Sequence, residues 1–468
     1  TPAVFFFFFN DTLMKKTIIL TVTLALGALV SYILSIKSDA HPVGKEAVWL
    51  ECDSALAVEN RLRADFALDM ESAIAEIRKL YPEVTDADID SFISRRYIET
   101  RIFDGDMRVH RKSPKNIARL NPSMNGRLSG RGDRASEARI SYADSVLNFY
   151  SGKNSLGGAH KVTYRFSIDV PYHPAIAGDT LRVWMPFPIE SERQNGINIL
   201  SAKPKEYIVS EPGQSVHRTI YFSAPVAKPG EKTHFEYTAS FITSGSYTSP
   251  DYILENILPY NKNSDTYRQY TATEAPHIVR LDSLASEIAA GECNPYLLSE
   301  RVYDYINKHY LWAGAREYST IDCIPEYVIR EGHGDCGQVA LLYISLMRTL
   351  GIPARWESGW MLHPGEKNLH DWAEVYFEGV GWIPVDPSFG RYTNATEKAT
   401  VNFYSTGIDA HRFASNRGIC GNLYPEKRFI RSETVDFQLG EVETSRGNLF
   451  YPAWEQNMQL IDVEPYES

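Results

Sequence analysis

Residues 332–355 read GHGDCGQVALLYISLMRTLGIPAR, and the fold of the C-terminal half turns on them. Gly332, His333, Gly334 and Asp335 are a run of turn formers that ends whatever element precedes them. Beyond Cys336, the apolar residues Val339, Leu342, Tyr343, Leu346, Met347 and Leu350 recur at three- and four-residue spacing. Ala340, Leu341 and Ile344 make much of the other side apolar too, so the pattern predicts a buried helix. Gly351 and Pro353 supply its end. A turn that delivers cysteine to the start of such a helix sets the sulfur against unpaired amides and the positive end of the helix dipole, which favour a thiolate. The local pattern leaves two readings of Cys336 open, a nucleophile and a buried, inert thiol.

The next stretch bears on that choice. Residues 369–377 read as a strand, Glu378 to Gly381 as a turn and 382–385 as a returning strand that runs into Asp386, Pro387 and Ser388. Folding this hairpin sets Asp386 opposite about Trp372 and diagonal to His370. Diagonal neighbours lie ~7–8 Å apart, close enough for imidazole and carboxylate tips to meet. Cysteine, histidine and aspartate in this order can build a thiol triad: Asp386 orients His370, and His370 takes the thiol proton and later gives one to a leaving amine.

At these residues the chain resembles the transglutaminase-like superfamily. The resemblance is carried by the Gly334, Asp335, Cys336 turn and the Gly351, Ile352, Pro353, Ala354, Arg355 exit. Two strands complete it, His370 to Val375 and Gly381 to Pro387, with 34 residues from Cys336 to His370 and 16 more to Asp386. It covers roughly residues 275–390. The resemblance implies a papain-like α+β core in which the cysteine forms a thioester with an acyl group taken from a protein or peptide amide. Water then gives hydrolysis and an amine gives transamidation. It makes Cys336 the nucleophile, His370 the base and Asp386 the orienting carboxylate. The amide of Cys336 is free to bind an oxyanion, with Trp312 and Tyr310 as side-chain candidates. Trp360 and Trp372 are candidates for walls of the substrate groove, and His333 reads as a turn residue. The alternative is a non-catalytic cell-envelope binding or assembly protein that retains this fold.

Upstream, Val162, Tyr164, Phe166, Ile168 and Val170 alternate with polar residues, as do Phe235, Tyr237, Ala239 and Phe241. Leu181, Val183 and Met185 make a third such piece, so residues 160–247 read as an antiparallel β module. Residues 41–110 read as a helical region, with Thr85 and Asp88 as a capping box and Asp104, Gly105 as a hairpin turn. Residues 111–159 read as a basic, solvated connector, and 248–468 as the transglutaminase-like catalytic domain with a C-terminal extension. The fold class is α+β.

Lys15 and Lys16, the nearly uncharged run 17–36, and then Ser38 and Ala40 have the layout of a signal peptide, with a retained signal anchor as the alternative. The expected location is outside the cytoplasm: periplasmic, cell-surface or secreted. The membrane enters only through that anchor. A net charge of −11 argues against a nucleic-acid partner. The run Asp86, Asp88, Asp90 has Ser91 and Tyr97 where a calcium loop needs glycine and glutamate, so no metal and no cofactor is expected. If Cys336 stays free, Cys52, Cys293, Cys323 and Cys420 can form at most two disulfides, which export permits.

Overall fold

The computed structural model describes residues 49–121, 124, 129–152, 155–392 and 395–466, and the expected export segment lies outside them. Helix Cys336–Thr349 forms where the apolar spacing places it. Asp335 caps it by accepting from the Gln338 amide at 3.0 Å, and the Gln338 side chain reaches back to the Asp335 amide at 3.2 Å. Every residue from Gly337 to Met347 is buried. Each large aliphatic side chain among them contributes about 1.5–3 kcal/mol of burial, so the helix is held by packing rather than by propensity.

The helix lies on a four-stranded antiparallel sheet in the order Gly381–Val385, Asn368–Phe377, Ala354–Met361, Arg412–Asn416. Leu342 and Leu346 share one cluster with Ala354, Trp356, Ala373, Val375 and Val385. Helices Asp282–Ala289, Pro295–His309 and Ile324–Glu331 complete this core. The molecule is therefore α+β, as the sequence predicts.

The β module forms two facing sheets. Ser155–Pro171 and Lys232–Tyr247 are the long central strands of one, and Thr180–Pro186 and Thr219–Pro225 belong to the other. The alternating residues Tyr164, Phe166, Ile168, Phe235, Tyr237 and Phe241 meet Leu181, Val183 and Phe222 in one buried cluster. Both sheets also recruit strands from far along the chain. Glu455–Pro465 pairs with Ser155–Pro171, Glu441–Glu443 pairs with Thr180–Pro186, and Asn448–Leu449 joins it to Leu50–Glu51. The C-terminal segment thus finishes the β module as well as following the core around helix Cys336–Thr349. Glu455–Pro465 gave little sign of this because, as an edge strand, it fully buries only Met458.

At the N-terminal end, the Thr85 and Asp88 capping box and the hairpin around Asp104 and Gly105 are present, with φ of 52° and 92° at the two turn residues. The connector reading of 111–159 is corrected in part. Ser113–Leu120 and Ser129–Leu147 are helices, and the first docks on the core. Asn116 exchanges hydrogen bonds of 3.0 and 2.8 Å with the backbone of Gly314, and the Arg119 guanidinium lies 4.1 Å above the Trp312 ring. Ile117, Ala118 and Leu120 are buried, so apolar contact as well as charge fixes this segment. Among the described residues, no helix is long and apolar enough to cross a membrane.

Candidate functional site

Neighbouring residues of a strand project to opposite faces, and this decides how Asn368–Phe377 arranges its polar side chains. Asp371 shares a face with Ala373 and Val375, which pack on the cysteine helix. His370 shares the other face with Trp372, and their rings are stacked with centroids 6.2 Å apart. Cys336 Sγ donates to Asp371 Oδ2 at 3.2 Å, and Asp371 Oδ1 accepts from Gln438 Nε2 at 2.7 Å. Gly337 allows this approach, because a Cβ there would come within 2.7 Å of Asp371 Oδ2.

On the opposite face, His370 Nε2 stands 2.7 Å from Asp386 Oδ2. Ser388 Oγ donates to Asp386 Oδ1 at 2.8 Å, and Arg412 Nη1 lies 3.2 Å from Oδ2. The hairpin has the expected register, with Val385 opposite Ala373 and hence Asp386 beside Trp372. The structure therefore brings His370 and Asp386 together but sets Cys336 against Asp371. In this conformation the three residues of the sequence reading do not form one constellation.

Cys336 and Asp371 line a cavity of about 340 Å³ that does not include His370. Lys112, Trp312, Tyr318, Asp436 and Gln438 share its wall. Lys112 Nζ donates to the Ala315 carbonyl at 2.6 Å, which ties the docked N-terminal helix to the rim. Tyr318 Oη donates to Asp335 Oδ1 just beneath the thiol. Of the aromatic candidates, Trp312 reaches the cavity. Tyr310 packs beside Tyr305 and does not line it. Trp372 is fully buried and donates to Glu357 Oε2 at 2.8 Å, and Trp360 is buried with Nε1 donating to the Gln438 carbonyl at 3.0 Å, so neither walls the groove.

Electrostatics run against the expectation of a thiolate. Burial pushes the Cys336 thiol well above its ordinary value, and the Asp371 and Asp335 carboxyls push in the same direction. The helix end that was to favour the anion is already occupied by the Asp335 cap. Asp371 is itself raised well above the carboxylate range, first by burial and then by Asp436 and Asp335. Across the strand, burial lowers His370 more than Asp386 raises it. Burial alone would raise Asp386, but His370 and Arg412 outweigh it and hold the carboxyl below its usual value. Among the described residues, no group of three or more His, Cys, Asp or Glu is arranged to hold a metal ion. All five cysteines are free thiols.

One consequence concerns stability. Burial raises Asp436 to about 7 in spite of Arg431, with Asp335 and Glu317 adding to the shift. A folded-state value above the unfolded one gives stability that is complete below about pH 4 and is lost as pH rises through about 7. The thermal midpoint should therefore fall between about pH 5 and pH 8, and Asp436→Asn should flatten that fall. An equal fall in the variant, read by calorimetry, would assign the dependence to other groups.

Sequence reasoning passed over Asp371, although a signal for it existed. It is the one acid at a strand position whose companions Ala373, Val375 and Phe377 face the core, and a buried polar residue is the informative kind. Tyr318 opens a short 3-10 turn, Asp436 and Gln438 come from a loop about 100 residues beyond Cys336, and no spacing pointed to them.

Residues 282–387 match the model of the transglutaminase-like superfamily core. The uncharacterized protein YebA of Bacillus subtilis is 26% identical over 188 residues, covering 35% of this chain and 25% of that protein, so the chain spans about a quarter of its length. An uncharacterized protein of Haemophilus influenzae is 23% identical over 340 residues, covering 63% of this chain and 89% of that one. Among solved structures, a candidate cysteine protease from Cytophaga hutchinsonii is 16% identical, with a TM-score of 0.44 and coverage of 67% of this chain and 96% of that one.

Proposed function

We propose, from the premise of a transglutaminase-like core over residues 282–387, that this chain is a thiol enzyme acting on protein or peptide amides. Cys336 attacks the amide carbonyl, the amine leaves and a thioester remains. Water resolves it by hydrolysis, or an amine by transamidation. Hydrolysis is the favoured outcome because water is the default acceptor. The observation that carries this reading is the position of Cys336, at the first turn of a buried helix and in the wall of the cavity. The capping box uses the amides of Asp335 and Gln338, which leaves the Cys336 amide for a developing oxyanion.

His370 and Asp386 are a preassembled acid–base pair of the kind the resemblance calls for, and the 2.7 Å bond supports that role. The Lys15 to Ala40 pattern supports action outside the cytoplasm. The second reading is a non-catalytic envelope protein retaining the fold. It draws on a specific observation, that His370 stands on the face of its strand away from Cys336.

The test is incubation of the reduced protein with a glutamine-containing peptide and a labelled primary amine, following ammonia, amine incorporation and peptide cleavage together. Ammonia or cleavage alone indicates hydrolysis, and incorporation indicates transamidation. Iodoacetamide pretreatment should suppress each of them. Absence of all three, with no labelling by a thiol-directed acyl probe, would favour the non-catalytic reading.

A further inference from the structure

The cavity beside Cys336 is rich in acid, with Glu317, Asp335, Asp371, Glu433 and Asp436 in its wall. The cations that share the wall are already engaged: Arg111 Nε with Asp65 at 3.0 Å, Lys112 Nζ with the Ala315 carbonyl at 2.6 Å and Arg316 Nη1 with Glu99 at 3.0 Å. Most of the acids are engaged as well. Asp335 caps the cysteine helix, Asp371 accepts from Cys336 and Gln438, Glu317 accepts from Ser319, and Glu433 accepts from the amides of Gln438 and Leu439, each at 2.9 Å. Asp436 is the exception. It is 8% exposed, and among the described residues its carboxyl has no hydrogen bond or ion pair with another residue. Arg431, the cation that opposes it, gives its guanidinium to the backbone carbonyls of Gly421 and Asp436 instead.

We propose that this cavity is a specificity pocket for a basic side chain of the amide substrate, with Asp436 as the residue that receives its charge. The proposal rests on the reading of Cys336 as the nucleophile and adds the class of substrate. The pocket holds about 340 Å³, within the ~300–1,000 Å³ of ligand sites. Its wall is amphipathic, since Trp312, Leu369, Leu439 and Tyr451 supply apolar surface beside the acids. A lysine or arginine side chain has the same make-up, an alkyl stem and a charged head. Laid along those residues with its head on Asp436, it gives the unpartnered carboxyl an ion pair and brings the adjoining amide to Cys336, which lines the same cavity.

The charge balance of the wall points the same way. Burial raises Asp371, Glu433 and Asp436, and in each case neighbouring acids add to the shift, with Asp436 reaching about 7. Acids so placed hold their protons because too little positive charge meets them. A cation carried in by the substrate reverses that balance and draws Asp436 into its ionised form. A metal ion is the poorer match: among the described residues, no three such acids are arranged to hold one. A substrate with an acidic side chain at the same place would meet carboxyls and be turned away.

The experiment measures peptide binding to the full chain carrying Cys336→Ala, which leaves the peptides intact, by fluorescence anisotropy. Each peptide holds one glutamine and carries lysine, arginine, norleucine or glutamate at one of two positions on either side of it. Norleucine keeps the stem of lysine without its charge. At one position or more, a basic residue should bind at least about 10-fold more tightly than norleucine, and glutamate more weakly still. Adding Asp436→Asn, which keeps the shape of the side chain, should reduce the basic-to-norleucine ratio to about threefold or less. A general loss of folded protein does not move a ratio, so a merely structural role for Asp436 would leave it in place. Equal binding of basic and norleucine peptides at every position, or a preference that persists in Asp436→Asn, would overturn the proposal. Amide turnover by the protein with Cys336 intact is followed in parallel on the same peptides. If it turns over none of them, the functional reading fails, while the binding ratios still report whether the pocket takes a cation.

Discussion

Cys336→Ala is expected to reduce amide turnover by at least about 10⁴-fold and to remove acyl-probe labelling altogether, since loss of a nucleophile eliminates the covalent route rather than weakening a contact. The fold should survive. Cys336 is the first residue of its helix, and the capping box on Asp335 and Gln338 involves backbone amides and side chains that the substitution leaves alone. Removing the thiol takes away its hydrogen bond to the buried Asp371 Oδ2, so a loss of about 1–3 kcal/mol is expected, short of unfolding the domain. The parallel change Cys293→Ala is a control, because that thiol is exposed, and it should leave turnover within about twofold. Persistent labelling in Cys336→Ala would locate the reactive thiol elsewhere and end the assignment.

Arg412→Met is expected to cost about 3–5 kcal/mol of stability, a large part of the ~5–15 kcal/mol that holds an ordinary domain. Arg412 is 1% exposed and serves two carboxylates that are themselves buried, Asp409 at 2.7 Å and Asp386 at 3.2 Å. Methionine fills much of the volume but leaves both acids without their cation. Asp386 then loses one of the charges that keep it ionised, and its bond to His370 weakens with it. Denaturant unfolding of the two proteins checks the magnitude. A loss below about 1 kcal/mol would mean that water or rearranged partners replace the guanidinium. The double replacement of Arg412 and Asp409 by apolar residues should cost less than Arg412→Met alone, because it removes a charge from each side of the pair.

The parts of this molecule legible in sequence are those fixed by local pattern. The cysteine helix was readable because its apolar residues fall at helical spacing, and its start and stop because turn formers and Gly351, Pro353 bracket it. The hairpin register followed from the lengths of two strands and one turn, which is why Asp386 lands beside His370. The same rule of alternation, taken one residue further, places Asp371 on the helix side of the sheet and His370 on the other. Which of the two faces receives the helix depends on packing among Ala354, Trp356, Ala373 and Val385, four positions whose apolar character is clear but whose face is not. Aromatic residues misled for the same reason. Trp372 looked like a wall of the groove, yet Glu357, an acid remote in sequence, binds its indole on the far face. The basic segment from Arg108 onward could not be resolved by charge alone, since its docking depends on Asn116 meeting the Gly314 backbone.

The strand Glu455–Pro465 runs antiparallel to Ser155–Pro171 on one side, while Lys232–Tyr247 flanks the other. Along the chain, residues 282–387 thus fall between two strands of a single sheet, like a clause set between the two halves of a sentence. Such a stretch is not a cassette. Lifting residues 282–387 into another host would leave behind the Gln438 that clamps Asp371, the Lys112 that closes the rim and the Arg412 that serves Asp386. Recombination at the borders of the family core would carry Cys336, His370, Asp371 and Asp386 across without the side chains that hold the two carboxyls in place.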